Sequence, residues 1–582
     1  MHMKQMSYRT GQLCKSRLLK MTVCWLAAVC SATLSGQSAQ SLQPSGNYVV
    51  PLQAPTYHLA DRIDIQYPHT YRYLQTAVKP YLRADVAALL PAVGKIQKWS
   101  GREQFNHRYL CNDNREFCLP DTGAYYTGAL LHFFYPEPAT FYPFFSVRVN
   151  PVLHQAFGYS DDSIGLRFTN TRGVELRGSI DNKVGFYFYA TDNQAILPAY
   201  VQERTDAAPQ VVPGEGVAKI FKTSGVDYLS ARGYVSFHAT THIAMTFGHD
   251  KVFIGDGLRS LIWSDNADDH LMFRIHTKLW RMQYMNMFTE LANYDGSNIY
   301  NSLIHKKYAA LHHLNIPITP TLHLGFFESI VFDRYNATGM ESGFELQYLN
   351  PIIFYRAVES GLGSSDNAMI GTNWKWNFLK RFSFYGQFIL DELVVGEFIA
   401  GDGWWGNKYG LQTGLKYINA FGIDQLDLQY EYNMVRPYTY SYEDDNGSSY
   451  THYGQAIAHP LGANFREHQI DLWYQPVSKV LISNRFMYAT RGTDTAGLNY
   501  GGNIFLDYNT YVHTYGNTVA QGIRENIVLN DLTVSYYFWH NTSFDLRIVY
   551  RKADSELDAN DRNEVFISAG VRMNEMLRRN IF

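Results

Sequence analysis

From Gln425 to Met434 polar and apolar residues alternate without a break. Leu426, Leu428, Tyr430, Tyr432 and Met434 oppose Gln425, Asp427, Gln429, Glu431 and Asn433. A period of two predicts a β-strand with one apolar and one polar face. About ten tilted residues carry such a strand across a bilayer. A strand of a soluble sandwich alternates in the same way, so the weight falls on recurrence. Ile370, Thr372, Trp374, Trp376 and Phe378 oppose Gly371, Asn373, Lys375 and Asn377. Tyr409, Leu411, Thr413, Leu415 and Tyr417 oppose Lys408, Gly410, Gln412, Gly414 and Lys416. Phe544, Leu546, Ile548 and Tyr550 share one face of Ser543–Arg551, and Val565, Ile567, Ala569, Val571 and Met573 share one face of the last strand.

The first half is less regular. It predicts short strands at Ile164–Phe168, Val174–Ile180 and Val184–Ala190, joined by hairpin turns at Asn170–Gly173 and Asp181–Lys183. Leu197–Gly225, broken by Pro, Gly and charge, predicts a long loop or a short inserted helix. Gly255-Asp256-Gly257-Leu258-Arg259-Ser260 is a non-strand excursion. The whole pattern predicts an all-β fold, an antiparallel transmembrane β-barrel of about 16–20 strands. The best match is roughly 18, since an even number closes an antiparallel bacterial barrel. Ahead of it, residues 40–120 predict a small helical or mixed periplasmic region, in which Val86, Leu89, Leu90 and Val93 recur at helical spacing. The barrel is assigned to residues 121–582.

The two ends of the chain support this reading. Arg9, Lys15, Arg17 and Lys20 precede a short apolar run from Met21 to Leu34 and small polar residues from Ser35 to Gln40. That is the layout of a secretory signal peptide over residues 1–39. Cys30 ends a Leu-Ala-Ala-Val-Cys run, but Val29 fits a lipoprotein site poorly. Phe582, after the last amphipathic strand, predicts recognition by barrel-assembly machinery. Both features place the protein in the outer membrane, as a monomer in contact with outer-membrane lipid.

Composition agrees. Aromatic residues reach 15%, with 44 Tyr, which suits interfacial girdles. Mean hydropathy is −0.26, and no run of 18 or more apolar residues predicts a membrane helix. Removing the leader takes away five basic and no acidic side chains, leaving 45 against 53 and a formal charge of −8. No basic excess points to nucleic acid. Two cysteines remain, Cys111 and Cys118, with Asn112 to Phe117 between them. An oxidising compartment predicts a small disulfide loop there, and the pair offers too few ligands for zinc.

Segments from Asn170 to Phe465 also resemble a known family. They are Asn170-Thr171-Arg172-Gly173-Val174-Glu175-Leu176-Arg177-Gly178, then Phe247-Gly248-His249-Asp250-Lys251 leading into Gly255–Ile262 and Ser264-Asp265. Leu349-Asn350-Pro351, Phe354-Tyr355-Arg356 and Asp366-Asn367 follow, and then Tyr385-Gly386-Gln387 with Asp391-Glu392. Arg436-Pro437-Tyr438-Thr439-Tyr440 leads to His459-Pro460-Leu461-Gly462-Ala463-Asn464-Phe465. In this order they resemble the Wzi-like capsule-assembly barrels, most nearly the RemB-like gliding-motility members of Bacteroidetes. Trp263 departs from the aliphatic residue more usual there. The resemblance implies an outer-membrane barrel that holds or organises surface polysaccharide, in some relatives with a link to motility, and no enzymatic activity.

The residues themselves offer no catalytic centre. There is no G-x-S-x-G elbow, H-E-x-x-H pair or P-loop. Glu443–Gly447 lacks the EF-hand spacing and reads as a solvated loop. Asp391/Glu392 and His312/His313 are adjacent on strands and point to opposite faces. Neither a cofactor nor a metal is expected. Carbohydrate recognition remains, in which aromatic faces stack on sugar C–H patches while carboxylates, amides and Arg take the hydroxyls. Asp256, Arg259, Trp263 and Asp265 form one candidate group, and Asp402, Trp404 and Trp405 a second, joined by Arg436, Tyr438, Tyr440 and His459. For each of these the competing expectation is a luminal salt-bridge network or an interface girdle. The functional expectation is non-catalytic assembly or attachment of capsular or exopolysaccharide. The alternatives are a passive channel and a component of a surface motility or secretion machine.

Overall fold

Asp427, Glu431 and Asn433 are at most 4% exposed, whereas Tyr430 among them is 43% exposed. Polar residues face inward and apolar ones outward, the inverse of a soluble protein and the arrangement of a transmembrane barrel. The computed structural model describes residues 47–118 and 145–582. Within these limits it leaves out 68, 95–98, 163, 182, 207–209, 223, 295–303, 334–342, 353–354, 356–357, 359–365, 444–446 and 496. The signal-peptide region and residues 121–144, assigned to the barrel, lie outside the described residues.

Eighteen strands form the wall. They are β1 (Phe145–Ser160), β2 (Leu166–Ile180), β3 (Val184–Ile196), β4 (Gly225–His238), β5 (Ile243–Asp250), β6 (His270–Leu279), β7 (Met282–Asn293), β8 (His305–Pro317) and β9 (Leu322–Asp333). The second half adds β10 (Asn367–Phe378), β11 (Phe382–Glu392), β12 (Lys408–Tyr417), β13 (Leu426–Val435), β14 (Phe465–Val477), β15 (Val480–Thr493), β16 (Ile523–Trp539), β17 (Thr542–Ser555) and β18 (Arg562–Met573). Each strand is antiparallel to the next, and β18 pairs with β1 from Leu153↔Met573 to Ser160↔Phe566 to close the barrel. Tight turns such as Trp280–Arg281 and Leu379–Arg381 join strands at one end, and long loops join them at the other; the expected turn at Asp181–Lys183 includes residue 182, outside the described residues. In barrels of this type the short-turn end is periplasmic and the long-loop end extracellular.

One expectation changes in the first half. Asn170–Gly173 is not a turn, because β2 runs through it. Thr171 and Arg172 bond across to Asn193 and Asp192 at 2.8 and 3.0 Å, and at Gly173 a Cβ would come within 2.1 Å of the Ala190 carbonyl. Polar pairing and close backbone approach therefore sustain the strand where turn chemistry was expected. After Leu197 a short helix, Ala199–Asp206, does interrupt the loop.

The N-terminal segment forms three helices, α1 (Pro55–Gln66), α2 (Arg83–Gly94) and α3 (Gly101–Asp113), with the Ala199 helix as α4. Pro55 starts α1 with its φ already set. Ser100 and Glu103 form a reciprocal capping box on α3. Val86, Leu89 and Leu90 are buried among the helices, as their spacing predicted. These helices do not hang beside the barrel. They fill its short-turn end, because inward-facing charges on the strands need partners. Asp427 of β13 accepts from Arg62 and His58, the latter at 2.8 Å. Lys375 of β10 donates to Asp64 at 2.7 Å, and Lys416 of β12 pairs with Asp61.

Cys111 and Cys118 are not joined by a disulfide. They meet as neighbouring thiols between the end of α3 and the turn after it, and the Cys111 contact and burial push the Cys118 thiol up. Beside them, Glu116 lies 3.1 Å from Arg148 and 3.0 Å from Arg177. Burial alone would raise its carboxyl, but Arg148, Arg177 and Arg83 hold it down at about 2. A depressed carboxyl stabilises the fold above its unfolded value of about 4.3, and that contribution is lost as pH falls toward about 2. Acid should therefore loosen the plug across that interval, read as protease cleavage of residues 47–118. Glu116→Gln should already be loosened at neutral pH, with a flatter acid profile.

Candidate functional site

The first candidate group enters the lumen from the long-loop end, on the connection between β5 and β6. Phe253–Ile254 there pairs with Val78–Lys79 of the plug, so material from both ends meets inside the wall. The glycines of Gly255-Asp256-Gly257 permit this descent. At Gly255 φ is +125°, and a Cβ would fall 2.2 Å from the Gln387 amide. At Gly257 a Cβ would meet the Glu431 carboxylate at 2.5 Å. That carboxylate instead accepts from the Leu258 and Arg259 backbone N–H groups at 2.6 and 3.0 Å.

The candidate side chains here are bound into the lumen. Asp256 accepts from Thr76 and lies 3.8 Å from Lys375. Burial alone would raise its carboxyl, but Lys375, Lys79 and Lys416 lower it to about 2. Arg259 donates to Glu467 at 3.1 Å and to the Ile581 carbonyl. His459, fully buried, lies 2.9 Å from the same Glu467. Trp263 is 1% exposed and packs edge-on to Tyr450 and His270. Tyr440 donates to the Leu261 carbonyl at 2.7 Å and stacks on Tyr450. Asp265 accepts from Gln53 at 2.9 Å.

This corrects the glycan-contact expectation for Asp256, Trp263, Tyr440 and His459. Their side chains are spent on holding the insert, because a charged lumen demands internal partners. Trp263→Ala should remove about 3–5 kcal/mol of stability. A fall in the temperature at which the barrel loses its heat-modifiable migration would show it.

Arg259 and Asp265 instead line a luminal cavity of about 380 Å³, together with Lys416, Arg485 and Arg579. One of its walls was not expected. The chain leaves β18 at Met573 and turns back into the lumen, so Phe582 does not end a strand. Phe582 lies under Arg204 and against Tyr200, and its carbonyl accepts from Arg551 at 3.0 Å. The Arg-rich run at 578–579, with Tyr200 and Tyr228 opposite, was its only sequence signal.

The second group stands at the long-loop rim. The loop between β11 and β12 carries a six-residue helix, α5 (Val395–Ala400), and then Asp402 to Gly406. It is knitted to the loop between β15 and β16. Trp405 N–H donates to Thr514, Gly516 to Asp402 and Asn517 to Gly403, at 2.8–3.0 Å. Gly403 has φ +69°, and a Cβ there would meet the Asn517 backbone at 2.8 Å. Trp405 stacks on Tyr511 with ring centroids 4.4 Å apart and lies 5.3 Å from Tyr508. Tyr438 meets Trp405 edge-on and donates to the Asn499 carbonyl at 2.9 Å. The Lys408 ammonium sits 3.6 Å above the Tyr508 ring. Arg436 donates to the Trp404 carbonyl at 3.3 Å.

Trp404, Trp405 and Tyr511 remain partly exposed, rimmed by exposed Asp402, Thr510, His513 and Tyr515. The result is an aromatic shelf with carboxylate, hydroxyl and imidazole groups around it. Arg436 and Tyr438 act beneath it as supports. Tyr508, Tyr511, Tyr515 and Asn517 were not picked out from the sequence. Their signal was the Tyr- and Asn-rich makeup of residues 494–522. Asp391 and Glu392 do not diverge as parity predicted, because the register of β11 shifts between Leu390 and Glu392. Asp391 accepts from the Tyr440 N–H at 2.8 Å, and Glu392 pairs at 3.2 Å with the buried Lys408, whose charge also acts on Asp391.

No protein-family description and no curated protein matches the sequence. Solved structures do match the fold. The chain is similar to Wzi of Escherichia coli, described as an outer-membrane protein involved in group 1 capsule assembly and as a carbohydrate-binding β-barrel. The TM-score is 0.52 at 16% identity, covering 91% of this chain and 100% of that one. OprD of Pseudomonas aeruginosa matches at TM-score 0.39 and 12% identity, over 73% of this chain and 94% of that one. With its closed wall of 18 strands, polar inside and apolar outside, the chain is an outer-membrane barrel, and it shares its fold with Wzi.

Proposed function

We propose that this barrel holds a surface polysaccharide at its extracellular end without chemical turnover. The observation that carries the reading is the aromatic shelf of Trp404, Trp405 and Tyr511, rimmed by exposed polar groups. Flat apolar rings with a polar rim suit pyranose faces and their hydroxyls. The lumen beneath is occupied by α1–α3, the Gly255 insert and the tail, which favours attachment over passage. The carbohydrate binding described for the similarly folded Wzi supports the same reading. A role in a motility machine rests on the resemblance of the quoted segments.

Deleting the gene and measuring polysaccharide in cell-bound and released fractions tests this. Glycan moving into the medium at constant total supports attachment. An unchanged partition removes it.

A further inference from the structure

Helix α5 has no buried residue. Val395, Phe398 and Ile399 fall at i, i+3 and i+4, on one stripe. They are 61%, 49% and 77% exposed, and Val394 before them is also exposed. Glu397 points away from that stripe and accepts from the Tyr515 hydroxyl at 3.4 Å. The helix is fixed at both ends. Val394 N–H donates to Asn407 at 3.0 Å, and Gly401, with φ +73°, closes the other end.

Its position gives the apolar stripe a meaning. Phe398 packs edge-on against Tyr409 of β12 at 5.7 Å, and Tyr409 lies 6.2 Å from Phe388 of β11. Tyr409 and Phe388 belong to the outward alternation of their strands, whose inward neighbours Lys408, Gln387 and Ile389 are buried. The stripe therefore continues the lipid-facing wall at its extracellular rim.

We infer that α5 is an interfacial anchor. It lies in the plane of the membrane with Val395, Phe398 and Ile399 in the acyl–headgroup boundary of the outer leaflet, and Glu397 in water. An amphipathic helix with one apolar stripe and a charged opposite side takes this position. In water the same stripe would be a standing apolar patch. Because Asp402 to Gly406 follows directly, the anchor also fixes the height of the aromatic shelf above the bilayer.

Spin labelling of the full chain in phosphatidylcholine vesicles tests this. Nitroxides are placed at Ile399→Cys, Val395→Cys and Glu397→Cys, with Asn509→Cys as the loop reference and the unsubstituted chain as the blank for the native cysteines. Labels at 399 and 395 should collide with oxygen and lose collision with a water-soluble nickel chelate, relative to 509. The label at 397 should keep nickel collision. Nickel access at both 395 and 399 would overturn the inference. Shielding from both reagents there would also overturn it, in favour of cover by a second copy of the chain. Two substitution sites on the stripe guard against one failing to fold.

Discussion

Asp427→Ala should turn a closed barrel into a leaking one. Asp427 is buried and receives Arg62, His58 at 2.8 Å and the Asn419 N–H at 2.9 Å. Removing one partner of a buried ion pair costs about 3–5 kcal/mol, because the remaining charge is left unpaired. The cost falls on the docked plug, since undocking returns Arg62 and His58 to water. The undocked population should rise by roughly 10²–10⁴-fold. An empty wall of 18 strands has porin width, and undocking α1–α3 clears its short-turn end, leaving the Gly255 insert and the tail as partial obstructions. Planar-bilayer recordings should show a nearly silent wild type and repeated openings in Asp427→Ala. Adding Asp64→Ala, which frees Lys375 and Asn377, should lengthen them. Equal silence in all three would mean that the charges do not hold the plug.

Trp404→Ala with Trp405→Ala should release polysaccharide from cells while leaving the barrel folded. These two rings are the partly exposed core of the shelf. Each well-placed aromatic contact adds about 0.5–1.5 kcal/mol beyond burial, so losing both weakens glycan binding by roughly 5- to 150-fold. Heat-modifiable migration should persist, because both rings lie in loops outside the wall. Released glycan should approach the level seen on gene deletion. The contrasting substitution, Trp263→Ala, should lower stability first. If the double variant retains glycan like wild type, the shelf is not the attachment site.

The barrel was legible because its signal is periodic. A residue's side of the wall follows from parity alone, so Lys375, Lys416, Asp427 and Glu431 were assigned correctly to the polar face without knowing their partners. Parity does not say what an inward charge meets. The partners Asp64, Asp61 and Arg62 lie more than 300 residues away in sequence, on helices read as an ordinary lead-in. The same gap explains the divided fate of the candidate site. Asp256, Arg259, Trp263 and His459 have the makeup of sugar ligands, but that makeup also serves a buried network, and only the fold decides between them. Four of the segments that resemble Wzi-like barrels meet in this network. Gln387 grips the insert at Ile254 and Leu261, Asp391 holds Tyr440, and His459 shares Glu467 with Arg259. The shelf was half visible, because Trp404 and Trp405 stood out while Tyr508 and Tyr511 lay unremarked in a long loop. Phe582 was placed after the last strand, and only Arg578 and Arg579 hinted that the chain beyond Met573 returns into the lumen.

The central claim is that a closed barrel binds glycan at its extracellular shelf. The most direct test is binding of the purified, detergent-solubilised full chain to polysaccharide isolated from the surface of the same cells. Saturable binding by wild type, weakened in the Trp404→Ala, Trp405→Ala variant and unchanged in Ile399→Cys, is the predicted result. No binding by a folded wild-type barrel would contradict the account.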